Sequence, residues 1–350
     1  MHDVHEVPGI DPAHARQVLA PDADRAEWLR ARRAGLGGSD IAALVGMTRY
    51  SSPFALWMDK TGRLPIDIGA PSEAARWGTL MEPVVRDEFA REHGLTIHPT
   101  GMLRSVQWPW MLANPDGLCS DGAGYEGKTT SARRAKEWAD GQVPDPAELQ
   151  VQWCMAVTGL ARWHVVGLIG GQQALHRVIE RNEALIEHLV EFSRQFWEHY
   201  VQADIEPDVD GSEATTRLLA ERYPVTDPGT TAEIDPADAD ALRAQLAAAA
   251  ETERQASEEA TRLHNYVRAL LGDREQLTDG AQCLATWRST NRIAHSRLAA
   301  EHPHIAAECS RTEVHSVLDH DALRATYPEI AERYRVRQLR ITTEEDSNGA

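Results

Sequence analysis

Nine of the ten tryptophans fall between Trp28 and Trp197, and only Trp287 lies beyond them. Tryptophan carries the largest apolar surface of any side chain, so this distribution sets the main hydrophobic core in the first part of the chain. The composition changes at Ile205-Glu206-Pro207-Asp208. Residues 206–259 hold 14 acidic and 4 basic side chains, or −10 of the total −18, which leaves −8 for all the rest. At 350 residues the chain is long enough for two cores. The expected division is therefore 1–205 and 206–350.

The first part alternates helix and strand signals. Asp24 to Ala34 reads as a helix. Gly35-Leu36-Gly37-Gly38 is a loop, with Ser39 as the N-cap of a short helix through Leu44. Ser72 to His93 reads as a long amphipathic helix closed by Gly94. Strand-like runs follow at Leu95 to Arg104, Trp110 to Ala113, Gly117 to Ser120 and Tyr125 to Thr129, with Asp121-Gly122 as a hairpin turn. A helix from Asp145 to Val157, a strand from Trp163 to Ile169 and a helix from Glu180 to Val201 complete the set. The expected class is α/β or α+β, a small mixed sheet flanked by helices. Beyond it, Pro236 to Leu271 reads as one long helix or a helical hairpin, and Cys283 to Ser289 and Tyr334 to Ile341 as strands. These make a mainly helical C-terminal module with a few strands.

Several classes of function are disfavoured. No apolar run approaches the ~20 residues of a membrane span, and the N-terminus lacks a secretory h-region. Cys119, Cys154, Cys283 and Cys309 are far apart and form no CxxC, which argues against a disulfide framework or a structural zinc site. Among 15 histidines no pair sits at a convincing ligand spacing; His302 and His304 merely flank Pro303. The net charge disfavours a protein that coats DNA generically. Carboxylates that ligate cations also count as negative on paper, so the same charge leaves a nuclease open.

The chemistry concentrates in Asn114-Pro115-Asp116-Gly117 and Tyr125-Glu126-Gly127-Lys128. Glu126 and Lys128 are two apart on an expected strand, so they share a face, and a turn between Gly117 and Gly124 returns Asp116 beside them. Two carboxylates and an ammonium on one sheet edge suit phosphodiester hydrolysis with Mg²⁺ or Mn²⁺, two ions ~4 Å apart, and the Gly127 carbonyl offers a further ligand. An ordinary surface hairpin with cross-strand charge pairs would read the same way from these residues alone. Upstream, the glycine loop and Arg32 have the makings of a phosphate pocket, from free backbone N–H groups and a bidentate guanidinium. A plain capping turn is the ordinary alternative. Trp57, Trp77, Trp153 and Trp163 read as core, whereas Trp108 and Trp110 are the better candidates for a DNA-facing wedge.

Four segments, in order, resemble the lambda-exonuclease or YqaJ-type viral recombinase family of PD-(D/E)xK nucleases. They are Trp28, Arg32 and Gly35-Leu36-Gly37-Gly38-Ser39-Asp40; Trp77-Gly78 with Glu82; Pro115-Asp116-Gly117 with Glu126 and Lys128; and Gln150-Val151-Gln152 with Met155. The resemblance spans roughly residues 24–200 and implies a restriction-endonuclease-like core. By it, Asp116 and Glu126 hold metal, Lys128 orients or activates water, Glu82 adds an acidic group, and Gln150 is the active-site glutamine. Arg32, Ser39 and Arg134 become a pocket for a 5′-phosphate, altered at Asn114, where the lambda enzyme has serine. The implied activity is 5′-to-3′ degradation of duplex DNA ends to leave a 3′ single strand, with a single-strand annealing recombinase as partner. A trimeric ring and a cytoplasmic phage or prophage setting go with it. An endonuclease of the same fold, or an inactive nuclease fold that binds DNA or acts as a scaffold, are the alternatives. Residues 206–350 are expected to form a separable module for oligomerisation or partner docking.

Overall fold

The computed structural model describes residues 7–66, 72–225, 229–289, 292–311, 317–335 and 339. Two compact units emerge, Met1–Pro224 and Val225–Ala350. The division falls later than the composition shift. Helix α7 (Glu213–Arg222) packs with the first unit, where Thr215 Oγ1 meets Ser52 Oγ at 2.7 Å in a buried contact.

The first unit begins with β1 (Ala15–Leu19), α1 (Arg25–Arg32), α2 (Gly38–Leu44), α3 (Pro53–Lys60) and α4 (Glu73–His93). Next come β2 (Ile97–His98), β3 (Met102–Ser105), β4 (Leu112–Ala113), β5 (Gly117–Cys119) and β6 (Gly124–Thr130). A 3₁₀ segment, Ala132–Gly141, then leads to α5 (Asp145–Thr158), β7 (Arg162–Ile169), β8 (Gln173–Glu180) and α6 (Glu183–Phe196). The main sheet runs β2-β5-β6-β7-β8, with β6 and β7 parallel and the other pairs antiparallel; β1-β3-β4 form a smaller sheet. This is a small mixed sheet flanked by helices, as expected.

Local chemistry sets the boundaries. Asp24 and Ser72 cap α1 and α4 through side-chain oxygens, and Gly94 closes α4 in the left-handed region at φ 65°. The Asp121-Gly122 turn joins β5 to β6, with Gly122 at φ 83°. The expected strand 95–104 is instead split between two sheets. Gly101 turns at φ 65° with Leu19 O only 2.2 Å from where a Cβ would stand, and β2 and β3 part there. The expected helix from Glu180 is also corrected. Residues Gln173–Glu180 pair along all of β7, and α6 starts after Asn182, whose side chain caps Leu185 N.

The two faces of the sheet are covered differently. Tyr125 and Val166 pack under Val85 and Phe89 of α4. Trp163, Val165 and Ile169 join Val151, Trp153 and Val157 of α5 in the main core. Trp57, Trp138, Trp153 and Trp163 are fully buried. Trp77 departs from its expected core position, standing 52% exposed on α4. Trp110 departs the other way: it is buried and stacks on Trp197 at 6.3 Å, which removes it as a DNA-facing wedge.

The second unit holds α8 (Pro236–Leu271), one unbroken helix, and a hairpin of β9 (Gln276–Thr278) and β10 (Cys283–Thr286). Four short helices follow among the described residues: α9 (His295–Glu301), α10 (Pro303–Glu308), α11 (His320–Thr326) and α12 (Pro328–Arg333). The strand expected from Tyr334 lies mostly outside the described residues. No helix among the described residues is long and apolar enough to cross a membrane.

Candidate active site

The centre lies on β6 and its neighbours. Glu126 is buried, at 2% exposure, and its Oε1 accepts from Lys128 Nζ and from Gln150 Nε2, each at 2.6 Å. Lys128 Nζ also donates to Gln150 Oε1 at 2.9 Å, which closes a triangle between strand and helix. Asp116, just before β5, accepts from the Gly127 N–H at 2.8 Å. The one-residue alternation of β6 sends Glu126 and Lys128 toward α5, while Tyr125 turns to α4.

Glu126 Oε2 is buried and has no hydrogen-bond partner. An unpaired carboxylate oxygen in such a place is costly unless a cation or a donor joins it. Burial first, and then the charge of Glu126, push Asp116 well above the usual carboxylate range, against the pull of Lys128. Glu82, half-buried on α4, is raised by the same two causes in the same order. Burial opposes the charged form of Lys128, yet Glu126 and Asp116 outweigh it and raise the ammonium's pKa. At neutral pH Lys128 is therefore a cationic donor. The oxygens of Asp116, Glu126 and Glu82 form a hard donor set suited to a divalent ion.

A cavity of about 170 Å³ adjoins this centre and is lined by Arg32, Ser39, Asn114, Asp116, Gln150 and Cys154, among others. Arg32 donates to Ser39 Oγ at 3.1 Å and to Asp40, and it stacks over Trp28, whose indole N–H reaches Asn114 Oδ1 at 3.2 Å. Asp40, in the first turn of α2, reaches back to the cap. Its Oδ2 accepts from the Gly37 N–H at 2.9 Å, so Gly37 rather than Ser39 occupies the cap, and Ser39 is released into the cavity. Asp40 Oδ2 also meets the buried Lys60 Nζ at 2.8 Å. Although burial works against its charge, Arg32 and Lys60 together lower the Asp40 carboxyl to about 2. Burial holds the Cys154 thiol protonated, well above its ordinary value.

Arg32, Ser39 and Asn114 thus converge with Asp116 and Gln150. Arg134 does not line this cavity: it lies in the Ala132–Gly141 segment, more than half exposed, paired with Glu137 at 2.8 Å. Sequence reasoning missed Asp40 and Lys60 as the buried partners that anchor Arg32, although Asp40 stands three residues after Gly37 at the usual capping distance. It also missed a second constellation. Ligand atoms of Cys119, Asp121 and His164 lie within 4.8 Å of one another, on strands too far apart in sequence for any spacing rule.

A Pro-Asp before one strand of a hairpin and Glu-x-Lys on the next, backed by a helix glutamine, is the layout of the PD-(D/E)xK class. The chain belongs to the YqaJ-like viral recombinase family, whose domain profile matches residues 27–161. It is 32% identical over 297 residues to the uncharacterized protein YqaJ of Bacillus subtilis (strain 168), covering 83% of this chain and 92% of that one. Among solved structures, an alkaline exonuclease from Laribacter hongkongensis aligns with a TM-score of 0.43 at 21% identity, over 56% of this chain and 99% of that one. A phage related exonuclease from Haemophilus somnus 129PT aligns at 0.37 and 12% identity, over 49% of this chain and 95% of that one.

Proposed function

We propose that the protein is a metal-dependent nuclease that degrades duplex DNA from 5′ ends and leaves a 3′ single strand. The observation that carries this reading is the orphaned, buried Oε2 of Glu126, beside Asp116 and Glu82, with Asp116 also lining the cavity that holds Arg32 and Ser39. Asp116 and Glu126 would hold Mg²⁺ or Mn²⁺, with Glu82 and the Gly127 carbonyl as further oxygen donors. A bound ion would supply charge neutralisation on the phosphate and a more acidic water.

The side chains supply the rest. Lys128, charged and fixed between Glu126 and Gln150, positions the attacking water and meets negative charge as it develops on the phosphate. Water adds to phosphorus, one P–O ester bond breaks, and the leaving oxygen takes up a proton. Arg32 and Ser39, with Asn114 opposite, would hold a terminal 5′-phosphate through charge-assisted hydrogen bonds. A single-strand annealing protein is the partner expected to take up the product strand. Residues 225–350 are proposed to serve docking or self-association, for which a trimeric ring is the expected form.

The test is a gel assay on linear duplex with 5′-phosphate or 5′-hydroxyl ends, with and without Mg²⁺. Processive loss of the 5′-phosphorylated strand, dependent on Mg²⁺, is expected. Rapid cutting of closed circles would mark an endonuclease, and binding without cleavage an inactive scaffold.

A further inference from the structure

On the α4-facing side of the sheet, away from Glu126 and Lys128, a second group of metal-ligating side chains is gathered. Cys119 ends β5, Asp121 lies in the following turn and His164 sits near the start of β7. Their ligand atoms fall within 4.8 Å of one another. Cys119 and His164 are buried, and Asp121 opens to solvent with its side chain 27% exposed. His164 Nε2 faces Asp121 Oδ2 at 3.0 Å, and its other ring nitrogen, Nδ1, faces His176 Nε2 at 2.9 Å. Asp121 Oδ1 is held by the Ala123 N–H, and Arg162 reaches both Oδ2 and the backbone carbonyl of Asp121 at 3.1 Å.

We propose that Cys119, Asp121 and His164 bind one Zn²⁺-class ion, which pins the turn of the β5–β6 hairpin to β7. One thiolate, one imidazole and one carboxylate are the donor types that borderline-soft zinc takes in tetrahedral sites, whereas Mg²⁺ favours oxygen alone. The ion would take its place between His164 Nε2 and Asp121 Oδ2, which lie 3.0 Å apart without it. Cys119 loses its thiol proton to solvent, Asp121 binds through Oδ2 alone, and the His164 proton resides on Nδ1, donated to His176. That outer hydrogen bond is the kind that orients a ligating histidine and fixes its tautomer. The ion's role is positional, because the same hairpin carries Asp116 at one end of β5 and Glu126 on β6. The site is independent of the nuclease reading and stands or falls separately from it.

Cobalt(II) titration of the full-length chain in a Cys283→Ser/Cys309→Ser background tests it, with excess Mg²⁺ to fill the carboxylate centre. A thiolate-to-cobalt charge-transfer absorption at one ion per chain is expected. It should persist in Asp116→Asn and in Cys154→Ser, and vanish in Cys119→Ser. His176→Phe should weaken binding by ~10–100-fold without removing the band. Asp121→Asn, which retains an Oδ1 to accept from the Ala123 N–H of the turn, should lower affinity and abolish the rise in melting temperature that Zn²⁺ gives the parent. Absence of the band in the parent, its survival in folded Cys119→Ser, or unchanged affinity in Asp121→Asn would each overturn the assignment.

Discussion

The backbone N–H of Gly127 and Oδ2 of Asp116 lie 2.8 Å apart, so the strand that carries Glu126 and Lys128 also fixes the carboxylate that precedes the hairpin. The three groups cannot move independently. Without a bound metal ion the two carboxylates oppose one another, which is why burial and Glu126 together raise Asp116 against the pull of Lys128.

Asp116→Asn and Glu126→Gln are each expected to abolish digestion of linear duplex while leaving the circular dichroism spectrum unchanged. Asp116→Asn should also raise the melting temperature of metal-free protein by a few degrees, since ~1 kcal/mol shifts a domain of this size by ~2–4 °C. The sign follows from the shift. A carboxyl whose folded pKa is raised stabilises the fold below its unfolded pKa and ceases to do so as pH rises through the folded value. Metal-free parent protein should therefore lose stability on passing from mildly acid to neutral pH, and Asp116→Asn should lose less. Identical pH–melting curves for the two would contradict this.

Arg32→Ala should slow digestion of 5′-phosphorylated ends by about 10–100-fold, the equivalent of ~1.5–3 kcal/mol for a charged hydrogen bond. On 5′-hydroxyl ends the loss should be far smaller. Initial rates on the two substrates, measured side by side, decide the matter; an equal loss on both would assign Arg32 to the fold rather than to the end. Arg134→Ala, removing a residue that does not line the cavity, should leave the ratio of the two rates near that of the parent.

Asp40→Asn should destabilise the protein by about 3–5 kcal/mol, because Lys60, with its side chain wholly buried, would lose its nearest carboxylate and keep only Asp59 at 3.9 Å and the Arg32 carbonyl. Asp40→Asn with Lys60→Met should recover much of that loss. In the parent, the carboxyl lowered to about 2 stabilises the fold above its ordinary value of 3.8, and that contribution disappears as pH falls toward 2. Urea melts at acid and neutral pH would show the mutant's midpoint to be less pH-dependent. A mutant as stable as the parent would exclude this ion pair as an anchor.

A fragment ending at Pro224 should fold and retain nuclease activity, whereas one ending at residue 206 should melt roughly 5–15 °C lower. The shorter fragment loses α7, with its buried Ser52–Thr215 contact and the apolar cover of Leu218 and Leu219, together worth roughly 2–4 kcal/mol. Equal melting of the two would show that α7 contributes nothing to the first core.

Whatever depended on neighbours in sequence could be read from it. Ser72 and Gly94 bracket α4, Asp121-Gly122 turns the hairpin, and Glu126 and Lys128 share a face because strands alternate. The rest depended on contacts across the fold. Gln173–Glu180 is a strand only because β7 lies beside it, and the helix-like run after it hid the boundary. Lys60 meets Asp40 only once α3 packs against α2, and no spacing rule links Cys119 to His164. Trp110 reads as a candidate for a DNA-facing wedge, but Trp197, far along the chain, claims its ring.

Gly38 begins α2 where a Cβ would stand 2.9 Å from Gln150 Cγ and 3.1 Å from its carbonyl oxygen. The helix that carries Ser39 and the helix that carries Gln150 therefore touch backbone to side chain, with nothing between them. Under the proposed function this contact acts as a ruler: a missing methyl group would set the span from a held strand end to the bond under attack. A wedge at this position need not unfold anything. It would leave a folded molecule in which the proposed end pocket and the proposed metal centre no longer meet on the same nucleotide.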